Sequence, residues 1–534
     1  MRRWQLTFSA SAVATTHHAA SYSAASRTVQ ASVRSVFRVR QRNVFCCWLS
    51  MAAAPPAAFL TLLRAAVPAD ALLFGAAAAA AGGHDMSRHE ACAPYVVVRP
   101  ATVEAVAAVV RACAAHRVAI TPRGAGTGVE GGAIPVRGGV VLDTSRLNSV
   151  RVFPDESLAV VGPGVRKLDL ARALAPYKLV FGPDPSSNPS LGGMASTSAS
   201  GMTTLRYGTT RENVVSMLVV TPSGDIMRTR TPVRKSSTGL ELNQLVLGSE
   251  GTLAVIVELT LRLHPAPLAR AGMLLPFASV AAAAEAVTQL LLSSPPTLLR
   301  VELLNKEAVV CTNQVFKSQF DARPTLFIEC AGAAAEDVRR DATAAARLAL
   351  RMVGGGPDVA QPALTEGDAL DELWELRRGC YPASLAYRKA TGAAPPGAPP
   401  DKVLITDVCV PLRQLPAVIA ATEADFEASG LLCVICAHIA DGNFHCLVPY
   451  CTPAEAAACH AAEDRMISRV IAAGGTVSGE HGVGMGKIAH CMCEHGAAHM
   501  RVQASIKRAL DPHNIMNPGK LYHYEQEPHV ASRM

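Results

Sequence analysis

From Phe181 to Thr210 the chain reads FGPDPSSNPSLGGMASTSASGMTTLRYGTT, rich in Gly, Ser, Thr and Pro and almost free of large apolar side chains. Such a stretch builds no core of its own and is too long for an ordinary connector, so it is either disordered or shaped to a function. A second glycine-rich loop, RGAGTGVEGG from Arg123 to Gly132, precedes it. Both sit among clearly patterned elements. Thr102 to His116 has apolar residues at helical spacing and a threonine placed to cap it, and the strand RVAITP follows. GGVVLDTSRL and SLAVVGPGV read as strands and LDLARALAPYK as a helix, and MLVVTPSGDIMRT reads as two strands around a turn at Pro222 to Gly224. LVLGSEGTLAVIVELTLRLHP closes this region, and His264-Pro265-Ala266-Pro267 is a natural boundary. Beyond Leu268, alanine-rich helices alternate with strands such as TLFIECAG, and TGAAPPGAPP, from Thr391 to Pro400, reads as a surface loop.

At 534 residues, 50% of them hydrophobic and 17% charged, this is a globular chain of two large domains or more. Its net charge of +7 is local. Eight arginines and no acidic residue precede Asp70, while the remainder carries 42 basic against 43 acidic side chains. A nearly neutral body offers no electrostatic footprint for nucleic acid. Residues 1–50, with Arg2, Arg3, Arg27, Arg34, Arg38, Arg40 and Arg42 among Ser, Ala and Thr, have the composition of a mitochondrial transit peptide. No apolar run reaches the length of a membrane span. The fifteen cysteines are scattered, and reduced thiols are expected. Cys433 and Cys436 form a CxxC, but in an apolar strand positions three apart face opposite sides, which argues against a redox or zinc pair.

Gly126, Gly128 and Gly131 match the spacing GxGxxG, yet the residues after Gly132 read as turn and strand, not as the helix a dinucleotide fingerprint opens. Closely spaced glycines still let backbone N–H groups converge on an anion, with Arg123 adding charge, although a purely structural turn also demands glycine. The second loop supplies Pro183, Asp184, Ser190, Gly192, Gly193, Ser200 and Gly201 around close backbone approaches, and two such loops in one domain could hold one extended ligand.

Downstream, LLCVICAHIADGNFHCLVPY places Asp441-Gly442 between two strand-like runs, a hairpin signal. A two-residue turn there pairs His438 with His445, their Cβ atoms about 4.5–5.5 Å apart, a separation from which both imidazoles reach one ion. Glu480, in the glycine-flanked TVSGEHGVGMGK, would complete a His-His-Glu set that suits zinc or manganese, with Cys436 as a rival ligand. His481 would stay unligated as a proton acceptor.

These residues resemble a known family. PRGAGTGVEGGAIP, GPDPSSNPSLGGMASTSASG, RYGTTRENV and LVLGSEGTLAVI resemble the FAD-binding domain of vanillyl-alcohol-oxidase-type flavoproteins, and HIADGNFH, SGEHGVGMGK and DPHNIMNPGKL resemble its FAD-linked D-2-hydroxyacid dehydrogenase branch. LWELRRGCYPASLAYR and ITDVCVPLRQLP strengthen the likeness, which spans about residues 90 to 523. The resemblance implies an α+β fold with a two-part FAD-binding domain at 90–267. It implies an α/β substrate and metal-binding cap domain at 268–510 and a C-terminal segment, 511–534, that returns to the flavin site.

It further implies that Arg123, Gly124, Gly126, Thr127 and Gly128 wrap the FAD pyrophosphate, with Gly131 also at the cofactor, and that Ser190 to Gly201, with Thr197, run along the flavin and ribityl chain. Pro183, Asp184, Tyr207, Gly208, Glu250, Gly251, Thr252 and Asn517 complete the cofactor set. His438, His445 and Glu480 match ligands of one divalent metal ion, His481 the catalytic base, and Arg377 the arginine that holds the substrate carboxylate. The activity implied is oxidation of a small D-2-hydroxy acid, lactate first, with hydride passing to the flavin and electrons to an external acceptor such as cytochrome c.

Ala440 stands where the family usually has glycine, and Arg378-Gly379-Cys380-Tyr381-Pro382 departs from its usual run, which leaves substrate size open. Arg388 is available for a second carboxylate, so D-2-hydroxyglutarate or glycolate remain alternatives within the class. A metal-dependent hydrolase would leave both glycine loops unexplained, and a flavin- or nucleotide-binding sensor would leave the histidines idle.

Overall fold

The computed structural model describes residues 56–293, 295–351, 363–394, 397 and 399–522. The expected transit peptide, part of the TGAAPPGAPP insert and the last residues of the expected C-terminal segment lie outside them. These described residues belong to one compact unit.

The first sheet holds β1 (Leu72–Phe74), β2 (Val96–Val98), β3 (Ile120–Arg123) and β4 (Val140–Asp143) in the order β1-β2-β4-β3, parallel except for β1. Between β2 and β3 runs the helix Val103–His116, which buries Val106, Val109, Val110 and Cys113 in the same core as the sheet's valines. Thr102 caps it by accepting the Ala105 N–H. The chain then adds β5 (Val150–Phe153), β6 (Leu158–Val161), β7 (Leu179–Val180), β8 (Val214–Val220), β9 (Ile226–Arg228), β10 (Val255–Arg262) and β11 (His264–Pro265). Five of these form an antiparallel sheet, β5-β6-β10-β8-β9, and β7 pairs with β11. The β8–β9 turn uses Gly224 at φ +87°, as the Pro222 to Gly224 signal anticipates.

The third sheet contains β12 (Ala269–Pro276), β13 (Leu298–Leu304), β14 (Thr325–Gly332), β15 (Lys402–Ile405), β16 (Val408–Cys409), β17 (Val434–His438) and β18 (Asn443–Tyr450). Its order is β12-β14-β13-β17-β18-β15, with β16 also on β18. Both faces are covered. Along β17, Ile435 and Ala437 join one apolar core, while Val434 and Cys436 join the other. Cys433 belongs to the first core and Cys436 to the second, so the two thiols of the CxxC point apart, as strand geometry requires.

The hairpin between β17 and β18 differs from the register expected for a two-residue turn. Ile439–Asp441 forms a turn of 3₁₀-helix, Gly442 follows at φ +75°, and the pairs are His438 with Asn443, Ala437 with Phe444 and Cys436 with His445. A type I′ turn needs positive φ at both central residues, and here only the glycine supplies it. The register therefore slips by two. Because side chains alternate with period two, that slip returns His438 and His445 to the same face, now as diagonal neighbours.

The segment from Phe181 to Thr210 is ordered by contacts to its own protein. Asp184 accepts from Lys167 Nζ at 2.7 Å and Arg378 Nη2 at 2.8 Å and lies 3.6 Å from Arg300, and Arg206 donates to the Ala331 carbonyl. Burial would raise the Asp184 carboxyl, but Lys167, Arg378 and Arg300 together outweigh it and hold the group down to about 2. A depressed carboxyl contributes stability above its unfolded value of about 4 that is lost as pH falls toward 2. Asp184→Asn should cost about 2 kcal/mol at pH 7. The gap from wild type should close between pH 4 and pH 2, as read from urea midpoints across that range. A gap independent of pH would remove this account.

Candidate active site

Two elements of the third sheet bring His438 and His445 to one wall of a cavity of about 530 Å³, and the loop after Val477 brings Glu480 and His481. Glu480 Oε1 lies 3.1 Å from His438 Nε2 and 3.3 Å from His445 Nε2. The far ring nitrogens are held from behind. His438 Nδ1 is 2.8 Å from Glu302 Oε1, and His445 Nδ1 donates to the Thr406 carbonyl at 3.1 Å. Outer partners of this kind fix ring orientation and leave each Nε2 to face inward. Burial opposes the charged form of Glu480, but His438 and His445 outweigh it and hold the carboxyl well below the usual range. Glu302 and Glu480 likewise overcome burial and raise His438. Three donors within 4.8 Å of one another, two imidazoles and one carboxylate, fit a borderline divalent cation. Cys436 is not in that set.

His481 stacks on His445 with ring centroids 4.7 Å apart. Burial outweighs the nearby Asp407 and lowers its pKa to about 4, so the ring is neutral at pH 7 and free to accept a proton. Asp407 anchors the whole loop. Its Oδ2 accepts the N–H groups of Glu480 at 2.9 Å and His481 at 2.8 Å and the Ser478 hydroxyl at 3.0 Å, while Oδ1 accepts from Asn443 Nδ2 at 2.8 Å. Arg377 lines the cavity and is tied through Nε and Nη2 to Glu302 Oε2 at 3.0 and 2.6 Å, so one carboxylate links this arginine to His438.

The other end of the cavity is built by the two glycine loops. Arg123, Gly124, Gly126, Thr127, Gly128, Ser190, Gly192, Gly193, Thr197, Glu250 and Gly251 line it. The backbones there approach closely: a Cβ on Gly124 would stand 2.0 Å from Ser190 Oγ, and one on Gly192 would stand 2.5 Å from Pro163. Gly126 adopts φ +70°, and a Cβ on Gly128 would meet only open space. Ser190 Oγ accepts from Ala125 and Gly193, joining one loop to the other. A cradle of bare backbone beside Arg123 fits an extended phosphate-bearing cofactor.

Nine further residues of the expected cofactor set are not among those lining the cavity. Gly131 faces Met485 and His89, Asp184 is held in its ion pairs with Pro183 alongside, and Ser200 donates to Glu480 Oε2 at 2.6 Å. Gly201 abuts the Asp184 carbonyl, Tyr207 packs on His264, and Gly208 ends a short helix beside Glu212. Thr252 bonds Ser249 and Tyr522, and Asn517 donates to the carbonyls of Gly132 and Glu250. These residues shape the cavity without lining it. A motif marks where a chain must bend as readily as where it touches a ligand, which is why sequence alone merges the two.

Residues 94–230 match the FAD binding domain family and residues 266–521 match the FAD-linked oxidase C-terminal domain family. The chain belongs to the FAD-linked oxidase family. FAD is accordingly its cofactor and oxidoreduction its chemistry.

A protein named probable mitochondrial D-lactate dehydrogenase from Danio rerio is 36% identical to this FAD-linked oxidase over 461 residues, covering 83% of this chain and 87% of the relative. One named mitochondrial D-lactate dehydrogenase (cytochrome) from Arabidopsis thaliana is also 36% identical, covering 82% and 74%. A glycolate oxidase subunit from Bacillus subtilis is 31% identical, covering 82% and 91%. The solved structure of p-cresol methylhydroxylase with substrate bound shares the fold, with a TM-score of 0.71 at 18% identity over 88% of this chain and 97% of that one. Among the described residues of this oxidase, no helix is long and apolar enough to cross a membrane.

Glu302, Thr406, Asp407 and Lys487 are functional neighbours that the motifs did not single out. The available signal was a charged residue inside an apolar strand, as in LLRVELL and ITDVCV, since a buried carboxylate must be paired.

Proposed function

We propose that this protein oxidises D-lactate to pyruvate in the mitochondrion and passes the electrons to cytochrome c or another respiratory carrier. The observation that carries this reading is one cavity with a glycine cradle at one end and His438, His445, Glu480, His481 and Arg377 at the other. His438, His445 and Glu480 would hold one divalent ion, zinc or manganese, and when bound it supplies a Lewis acid that makes a substrate hydroxyl more acidic. Arg123, Gly126, Gly128, Ser190 and Gly193 would hold FAD, which when bound supplies a planar two-electron acceptor.

The chain's own groups do the rest. Arg377 offers the Nη1 edge of its guanidinium to a substrate carboxylate while Glu302 fixes the other edge, which orients a planar ion pair. His481, neutral before substrate enters, takes the hydroxyl proton on its ring, and the arriving carboxylate's charge raises its affinity for that proton. Cys380, Tyr381, Ile405, Cys436 and Leu447 line the same cavity and form an apolar wall against a short alkyl side chain. Arg388 does not join it. That guanidinium is paired with Glu455 and Asp401 and donates to the Pro449 carbonyl.

The expected result of anaerobic mixing is that D-lactate bleaches the flavin, L-lactate does not, and D-2-hydroxyglutarate is slower than D-lactate or D-2-hydroxybutyrate. A colourless preparation, or a flavin that none of these acids reduces, would overturn the reading.

A further inference from the structure

Glu250 sits at the junction of four chain segments. Its carboxylate is buried and accepts the N–H of Val483 at 2.6 Å through Oε1 and that of Gly484 at 2.8 Å through Oε2. Its own N–H donates to the Ser196 carbonyl, and its carbonyl accepts from Asn517 Nδ2. Its backbone adopts φ +50°, a left-handed conformation that a non-glycine residue rarely takes, followed by Gly251 at φ +72°. A strained residue persists only where its surroundings over-determine it, and here three other chain segments, at Ser196, Val483-Gly484 and Asn517, do so. The loop it grips begins two residues after His481, and Gly482 passes so close that a Cβ there would stand 2.8 Å from Glu250 Oε1. Asp407 holds the front of this loop from the third sheet, whereas Glu250 holds its back from the flavin-binding half.

We propose that Glu250 is a positioning residue that locks the His481-bearing loop to the flavin-binding half and so sets the base against the cofactor. The proposal rests on the reading of His481 as the proton acceptor. A carboxylate is required because both oxygens must accept; Glu250→Gln keeps the volume but turns one acceptor into an NH₂ donor facing a backbone N–H.

The test uses purified holoenzyme and three readouts: hydrogen exchange of residues 478–486, bound FAD per chain, and single-turnover flavin reduction by D-lactate. In Glu250→Gln the amides of Val483 and Gly484 should exchange about tenfold faster or more, and the reduction rate is taken per bound FAD so that any loss of cofactor is separated from the loss of positioning. The limiting reduction rate should fall about tenfold to a hundredfold while the apparent Kd for D-lactate stays within about threefold. Glu250→Asp, which keeps two acceptors on a shorter stem, should recover part of that rate, and it carries the same readouts if Glu250→Gln yields no folded protein. Unchanged exchange at Val483 and Gly484 overturns the proposal, and so does faster exchange with an unchanged reduction rate. A wild-type flavin that no D-2-hydroxy acid bleaches overturns the substrate assignment instead, and the exchange result then decides the clamp alone.

Discussion

His481→Ala keeps its FAD and loses flavin reduction, by about 10²–10⁴-fold, the span usual for a general base. The cavity presents three imidazoles, His438, His445 and His481. The first two have both ring nitrogens occupied, one toward Glu480 and the other toward Glu302 or the Thr406 carbonyl, and neither can take a substrate proton without releasing a structural partner. His481 is different. Its Nδ1 is buried without a hydrogen-bond partner, and Asp407 and Glu480 approach its ring no closer than 4.0 Å. None of the residues of the two glycine loops is altered by its removal, so FAD is expected to stay bound. Stopped-flow absorbance of the bound flavin under anaerobic conditions measures the effect, and turnover equal to wild type would refute the assignment.

The second large effect falls on Asp407. Asp407→Ala leaves the N–H groups of Glu480 and His481 without acceptors and removes one of the two carboxylates facing the buried Lys487, whose Nζ lies 3.2 Å from Glu130 Oε1 and 3.7 Å from Asp407 Oδ2. Breaking a buried charge cluster by deleting one partner costs about 3–5 kcal/mol. The urea midpoint should fall with little change in m, and whatever folds should reduce its flavin about a hundredfold more slowly, because a loop displaced by an ångström no longer presents Glu480 and His481 together. An Asp407→Ala protein as stable as wild type would show that Asn443, Ser478 and Lys487 hold this loop without it.

Local patterns carried much of this site, and long-range pairings carried the rest. The alternation along VICAH and NFHCLVPY puts His438 and His445 on one face whether the turn has two residues or four, because a slip of two residues preserves the face. The glycines at 124, 126 and 128 announced a close backbone approach, and all three line the cavity. What the sequence could not reveal was which carboxylate stands behind which group. Glu302 meets His438 across 136 residues and Glu250 meets Gly484 across 234, separations over which no spacing rule operates. Asp184 and Ser200 read as cofactor residues because they lie among small polar residues in a loop of close backbone approaches that resembles a flavin-binding loop. The structure gives them Lys167 and Glu480, which are equally polar partners from elsewhere in the chain.

The strand carrying the first glycine loop is completed by the far end of the polypeptide. Ile120 donates its N–H to the Ile515 carbonyl and accepts from the Asn517 N–H, both at 2.7 Å, and Lys520 reaches the Ile134 carbonyl. The cofactor cradle is therefore closed by an edge drawn from residues almost 400 positions away, and a chain deleted from Ile515 to Lys520 is expected to carry less FAD per chain than the wild type, as read from flavin absorbance against protein.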